Sequence, residues 1–126
     1  MSGDYPSTGV LGYQVYSAPL RELEFSGEKN IVSTLNAFSY VVARKDEEFS
    51  LALQKSELLI ADGFPVVLAA RILNSEKIEK IAGEDMFFFL LNKLNRDSGS
   101  CFFLGSAPST LEKIRDRISG EYPDIK

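Results

Sequence analysis

A chain of 126 residues, 44% hydrophobic and 25% charged, has the make-up of an ordinary globular domain and the length for one sizeable core. Its net charge of −4 supplies no field that would draw in nucleic acid, so that class of partner ranks low. The absence of histidine removes serine–histidine and cysteine–histidine catalysis and most zinc sites, leaving acid–base chemistry to Asp, Glu, Lys, Tyr or water.

The N-terminus, Met1-Ser2-Gly3-Asp4-Tyr5-Pro6, has neither the basic residues nor the apolar stretch of a signal peptide. Residues 1–8 read as a loose, flexible tail. Val10 to Tyr16 suggests a short hairpin or bent strand turning at Gly12. Residues 19–29 are polar and read as a connection with at most one helical turn. Ile31-Val32-Ser33-Thr34-Leu35 is β-branched and fits a buried strand. Asn36 can cap a helix over residues 37–44, and Asp46 can cap a second whose apolar side is Phe49, Leu51, Ala52 and Leu53. Leu58-Leu59-Ile60-Ala61 is another buried strand, ending at Asp62-Gly63. Pro65 sits in the first turn of a helix that runs to about Leu73. Residues 78–83 link to a helix opened by Glu84 or Asp85 and lasting through Asn95.

Residues 97–100 form a turn, and Cys101-Phe102-Phe103-Leu104 reads as a third buried strand. Cys101 there is a small buried hydrophobe and can form no internal disulfide. Gly105-Ser106 then leads into a helix from Pro108 to about Ser119. Strands alternating with helices at this spacing give an α/β fold: a Rossmann-like parallel sheet flanked by helices, with a short N-terminal β-hairpin. Residues 9–126 would be the N-terminal part of one such domain. Three or four strands make a thin sheet, and residues 121–126 stop where another strand would begin, so the expectation is a truncated chain. No apolar run approaches the ~20 residues that cross a bilayer. We therefore expect a cytoplasmic protein, with work at the inner membrane surface left open.

Ligands of open parallel sheets gather beyond the carboxyl ends of the strands. Three polar groups fall at such ends: Thr34 with Asn36, Asp62-Gly63, and Gly105-Ser106. A carboxylate at Asp62 would be partly desolvated, which suits a general base, or it simply caps the following helix. Thr34 and Asn36 offer a hydroxyl and an amide for sugar hydroxyls or an acetamido group, unless Asn36 only caps its helix. Gly105-Ser106 has the backbone setting for an anion at a helix start but not the glycine spacing of a nucleotide motif, and a plain tight turn reads equally well. Lys80 could hold a diphosphate or be a solvated linker lysine beside Glu79. Phe87-Phe88-Phe89-Leu90-Leu91 packs into the core at helical spacing, with one ring left for a partner. Residues 112–117 read as a solvated helix face with ordinary i,i+4 pairs.

An ordered series of motifs carries a family resemblance. It runs through Thr34-Leu35-Asn36-Ala37, Ala43-Arg44-Lys45-Asp46-Glu47-Glu48-Phe49, Ala52-Leu53-Gln54-Lys55-Ser56 and Asp62-Gly63. It continues with Ala69-Ala70-Arg71-Ile72-Leu73, Ile81-Ala82-Gly83-Glu84-Asp85, Phe103-Leu104-Gly105-Ser106 and Tyr122-Pro123. From Gly9 onward the chain resembles the WecG/TagA/CpsF glycosyltransferases. The resemblance implies an inverting transferase that needs no metal or other cofactor. It would move N-acetylmannosamine, or its uronic acid, from UDP to N-acetylglucosamine on a polyprenyl diphosphate, for teichoic acid, common antigen or capsule. Asp62 matches the family's proposed base, and Thr34 and Asn36 match sugar-site residues. Lys80 stands where many members have an arginine thought to contact the donor, so the charge is kept but the planar fork is lost.

Two features depart from the family pattern. The helix usual after the first hairpin is shortened to residues 19–29, and the second half, with a glycine-rich strand end and a basic membrane-seeking appendage, is missing. The implied partners are a UDP-sugar and a lipid-linked acceptor, with homo-oligomers left open and the 126-residue piece inactive alone. Two rival readings are a non-catalytic α/β module binding nucleotide or phosphate at Gly105-Ser106, and a structural subunit of a polysaccharide assembly complex.

Overall fold

The computed structural model describes residues 5–26 and 29–126. Contacts gather into two units, Met1–Gly83 and Glu84–Lys126. In the first, strands β1 (Ser7–Val10) and β2 (Tyr13–Tyr16) form an antiparallel hairpin. Its two-residue turn holds Leu11 at φ 54° and Gly12 at φ 88°, the double positive φ that matches strand twist in tight hairpins. Glycine takes such a φ freely and leucine does not, so the sequence signals the bend through Gly12 alone. Ser7 and Thr8, expected in the loose tail, are paired in β1 with Tyr16 and Val15, whereas residues 1–4 of that tail lie outside the described residues. The connection after the hairpin contains a single 3₁₀ turn, Leu20–Glu22, as its polar composition suggests; Gly27 and Glu28 fall outside the described residues.

Strand β3 (Val32–Leu35) pairs in parallel with β4 (Leu58–Ala61). The crossover between them is helix α1 (Ala37–Ala43) followed by α2 (Glu47–Gln54). Both helices start where a side chain can take a free backbone donor. Asn36 accepts from the Ser39 N–H at 2.8 Å, and Asp46 accepts from the Phe49 N–H at 3.0 Å. Ser39 completes a capping box, its hydroxyl accepting from the Asn36 N–H at 2.9 Å. On α2 only Leu53 is buried and Phe49 half-buried. Leu51 and Ala52, expected on the apolar side, face solvent because a 3.6-residue period cannot put three consecutive positions on one face.

Helix α3 (Phe64–Asn74) follows β4 with proline in its first turn. Leu35, Leu59, Ala61, Val66 and Ala70 join Val10 and Val15 of the hairpin in one core, so helix and hairpin close over the two-stranded sheet. The Asn74 amide donates to the Gly9 carbonyl and ties the end of α3 to β1. Residues 78–82 are irregular, with Gly83 already helical, but Ile78 and Ile81 are buried, which anchors this link to the same unit.

The second unit contains α5 (Pro108–Glu121) and nearly all of α4 (Gly83–Arg96). Asn95 and Gly99 accept from the backbone N–H groups of Asp124 and Lys126, each at 2.9 Å, and hold the last residues in place. The expectation of a third buried strand at residues 101–104 is not met. No strand among the described residues pairs with this segment, and Phe102 and Leu104 are 87% and 92% exposed while Cys101 and Phe103 are half-buried. An alternating apolar run makes a strand only when a neighbour takes its backbone groups, and composition cannot supply that neighbour. Two rings of α4, Phe87 and Phe88, are left exposed rather than one. They meet edge to face at 5.4 Å and border an apolar cleft of about 140 Å³. The outer face of α5 is solvated as expected, with Arg117 paired to Glu121 at 2.7 Å.

Candidate active site

The parallel ladder determines which groups emerge together. Thr34 stands opposite Ile60 and Leu35 opposite Ala61. One residue further, the Asp62 N–H donates to the Leu35 carbonyl at 2.9 Å, so Asn36 and Asp62 leave the two strands side by side. Side chains two apart on a strand share a face, which groups Thr34 with Asn36 and Ile60 with Asp62. The backbone then turns sharply at Gly63, whose φ of +119° is open to glycine and strained for any other residue. A Cβ at Gly63 would stand 3.9 Å from the Asn36 Cβ, and one at Gly83 would stand 4.0 Å from the Thr34 methyl group. The Ile81 N–H donates to the Ala61 carbonyl at 2.8 Å, carrying residues 78–83 past the end of β4 and setting Lys80 one residue from that bond.

The hydrogen-bond ledger of this rim is uneven. Asn36 uses its carbonyl oxygen as the helix cap, but its amide nitrogen has no partner among the described residues. Cap and ligand readings of Asn36 are therefore compatible, since they use different atoms. Asp62 does not cap α3: the cap position is Gly63, and no side chain caps that helix. The half-buried Asp62 carboxylate, the Thr34 hydroxyl and the exposed Lys80 ammonium likewise have no side-chain partner among the described residues. A carboxylate, a hydroxyl, an amide donor and a nearby cation are thus unspent around two strand ends.

A cavity of about 470 Å³ lies elsewhere, at Leu58 where β4 begins. None of the candidate site residues Thr34, Asn36, Asp62, Lys80, Gly105 and Ser106 lines it. Its polar groups are mostly engaged already: the Tyr5 hydroxyl on Asn30 at 2.7 Å, the Tyr13 hydroxyl on Ser50 at 2.8 Å, and Glu57 on the Ile31 N–H at 2.7 Å. Size favours that cavity, but chemistry favours the rim, because a site needs groups with bonding capacity left for a ligand.

Gly105 and Ser106 do not belong to a strand end, since residues 101–104 pair with nothing among the described residues. They form an exposed turn with both residues at positive φ, 109° and 70°, ahead of Pro108 at the start of α5. They lie in the second unit. What the structure removes is the expected strand before Gly105-Ser106; within the first unit the rim is supplied by the two strands β3 and β4. Sequence reasoning missed Ser39, which locks Asn36, although the Asn-x-x-Ser spacing signals it. It also missed Phe38 and Phe64, each two residues past a rim residue and exposed at 78% and 66%.

The fold is α/β, and its polar residues beyond the carboxyl ends of the parallel strands stand where open α/β sheets commonly place ligands. The profile of the glycosyl transferase WecG/TagA/CpsF family matches residues 10–126, and the chain belongs to that family. It is similar to the N-acetylglucosaminyldiphosphoundecaprenol N-acetyl-beta-D-mannosaminyltransferase of Bacillus subtilis (strain 168), with 32% identity over 96 residues, 76% of this chain and 38% of the relative. A protein of the same name from Bacillus spizizenii (strain ATCC 23059 / NRRL B-14472 / W23) is 25% identical over 84 residues, 67% of this chain and 33% of that protein. The matched part of the chain thus spans about a third of the length of these relatives.

Proposed function

We propose that this chain forms the base-bearing part of an inverting glycosyltransferase. The enzyme would transfer N-acetylmannosamine, or its uronic acid, from UDP to N-acetylglucosamine on a polyprenyl diphosphate at the cytoplasmic face of the membrane. The observation that carries this reading is the unspent Asp62 carboxylate beside the Asn36 amide, at the ends of neighbouring parallel strands in a member of this family. Both relatives are named for a mannosaminyl transfer onto a lipid-linked N-acetylglucosamine, which supports the same acceptor class here.

The chemistry follows from what these groups can do. Asp62 accepts the proton of the acceptor hydroxyl as its oxygen attacks the anomeric carbon from the face opposite UDP. The new glycosidic bond forms while the bond to the diphosphate breaks, and UDP leaves with that electron pair. One carboxylate suffices, because a diphosphate leaves readily without a general acid. Thr34 and the Asn36 amide nitrogen bind hydroxyl or acetamido groups of a sugar and orient it for in-line attack. Lys80 meets diphosphate charge as a point cation. Gly105 and Ser106, taken by themselves in the second unit, are a separate candidate anion contact at the start of α5.

The direct test is incubation of the full-length protein with UDP-N-acetylmannosamine and polyprenyl-diphosphate-linked N-acetylglucosamine, with and without a chelator. We expect an inverted disaccharide product and UDP in both cases. No transfer, or transfer with retained configuration, would contradict the proposal, and transfer abolished by chelator would contradict its metal-independent form.

A further inference from the structure

Two glycines border the rim, and they are glycine for different reasons. Gly63 turns at a φ of +119°, which a side-chain-bearing residue rarely adopts. Gly83, the first residue of α4, is not among the glycines with positive φ, so its backbone is open to any residue. Local energetics favour a replacement there, since glycine is a poor helix former. Beyond its own helix and chain neighbours, a Cβ added to Gly83 would meet a single described atom within 4 Å, the Thr34 methyl carbon at 4.0 Å. That separation is ordinary van der Waals contact and not a clash. Gly83 is exposed, so the gap beside Thr34 opens to solvent. Neither backbone conformation nor packing among the described residues accounts for a glycine at this position.

We infer that the bare Cα of Gly83 and the Thr34 methyl form the seat of a sugar's N-acetyl group, which makes Gly83 a specificity-determining residue of the rim. An acetamido group has three parts to satisfy: a carbonyl acceptor, an N–H donor and a methyl. The unspent Asn36 amide can donate to the carbonyl, and the Thr34 hydroxyl can accept from the N–H. The methyl needs an apolar wall and empty space beside it. Thr34 turns its own methyl toward Gly83, and Gly83 leaves that space empty. Carbon–carbon contact is best at ~3.5–4.0 Å, so a Cβ on residue 83 would stand where a ligand carbon touches the Thr34 methyl. The inference rests on the transferase reading and deepens it. In that reading both donor and acceptor sugars carry an N-acetyl group, and the same chemistry would recognise either one.

The test compares N-acetylated sugars with their hydroxyl counterparts on the full-length protein. In the donor arm UDP-N-acetylmannosamine is set against UDP-mannose. In the acceptor arm polyprenyl-diphosphate-linked N-acetylglucosamine is set against the glucose equivalent. We expect the parent to prefer the N-acetyl sugar in at least one arm. Gly83→Ala should cut that preference, read as a ratio of kcat/KM values, by about tenfold or more, the scale of one methyl group in a fitted pocket. The arm that moves identifies the sugar. Thr34→Ser keeps the hydroxyl, removes the methyl wall and should lower the same ratio. A merely structural effect would slow both sugars alike and leave the ratio in place. Gly83→Ala should melt at or above the parent temperature, because alanine is the better helix former. Three results would overturn the inference. One is a parent with no preference in either arm. Another is a ratio that either variant leaves unchanged in both arms. The third is a Gly83→Ala melt several degrees below the parent, which would show that the protein itself fills the gap. Calorimetric binding gives the same ratios without turnover. An inactive parent whose binding preference is lost in Gly83→Ala would therefore sink the transferase reading alone, and an active parent whose ratio ignores the substitution would sink this inference alone.

Discussion

Asn36 offers a way to separate holding the fold from holding the ligand, because its two side-chain ends do different work. The carbonyl end accepts from the Ser39 N–H at 2.8 Å and starts α1, while the amide end is unspent. Asn36→Ser keeps a good capping oxygen and discards the amide. Asn36→Ala discards both. Losing the cap costs about 1 kcal/mol, within a range of roughly 0.5–2, and the reciprocal bond from the residue-36 N–H to the Ser39 hydroxyl survives either change. For a protein of this size that corresponds to a fall in Tm of roughly 3–5 °C. Thermal melts should therefore place Asn36→Ser near the parent and Asn36→Ala several degrees below it. Transfer by the full-length protein should drop in both, by about tenfold for one lost hydrogen bond to the reacting sugar. If Asn36→Ser transfers as fast as the parent, the amide does not touch substrate. If Asn36→Ala melts with the parent, the cap contributes nothing.

Two further outcomes follow from local chemistry. Gly63→Ala has room, its nearest neighbours being 3.7 and 3.9 Å from the added carbon, so its cost is the φ of +119° alone; we expect about 1–3 kcal/mol less stability by urea denaturation, and an unchanged midpoint would show that the turn is not strained. Glu57 is a pH device: the Ile31 N–H donated to its carboxylate holds its carboxyl below the ordinary range. A folded-state value below the unfolded one gives stability that is present above the ordinary carboxylate value and is lost as pH falls through the lower folded value. The stability gap between parent and Glu57→Gln should therefore be widest near neutrality and close on acidification, and a gap constant with pH would rule out the bond as its cause.

The parts of the fold legible in the sequence were those that local chemistry decides. Asn36 and Asp46 announce their helices because a short side-chain oxygen next to a free backbone donor caps in almost any context. Leu58 to Ala61 reads as a strand because four consecutive apolar residues between polar ones have only the interior to go to, and all four are buried. The segment at residues 101–104 has nearly the same composition, yet it is unpaired, because a strand is a relation between two segments and only one of them is visible in such a run. The same limit governs the site. Asp62 and Asn36 each read as polar residues after a strand, but their adjacency rests on the parallel register of β3 and β4. Gly105-Ser106 failed as a strand end for the same reason that residues 101–104 failed as a strand. Phe38 and Phe64 were overlooked because a phenylalanine near a helix start ordinarily signals core, and their exposure is a property of the packed unit rather than of the pattern.

The most direct test of the proposed chemistry is the transfer rate of Asp62→Asn in the full-length protein, measured beside the parent with UDP-N-acetylmannosamine and the lipid-linked acceptor. The substitution preserves shape but removes the negative charge and with it the ability to take a proton. We expect turnover to fall by about 10²–10⁴ with the melting temperature unchanged. An Asp62→Asn enzyme with parental turnover would contradict the assignment of Asp62 as the base.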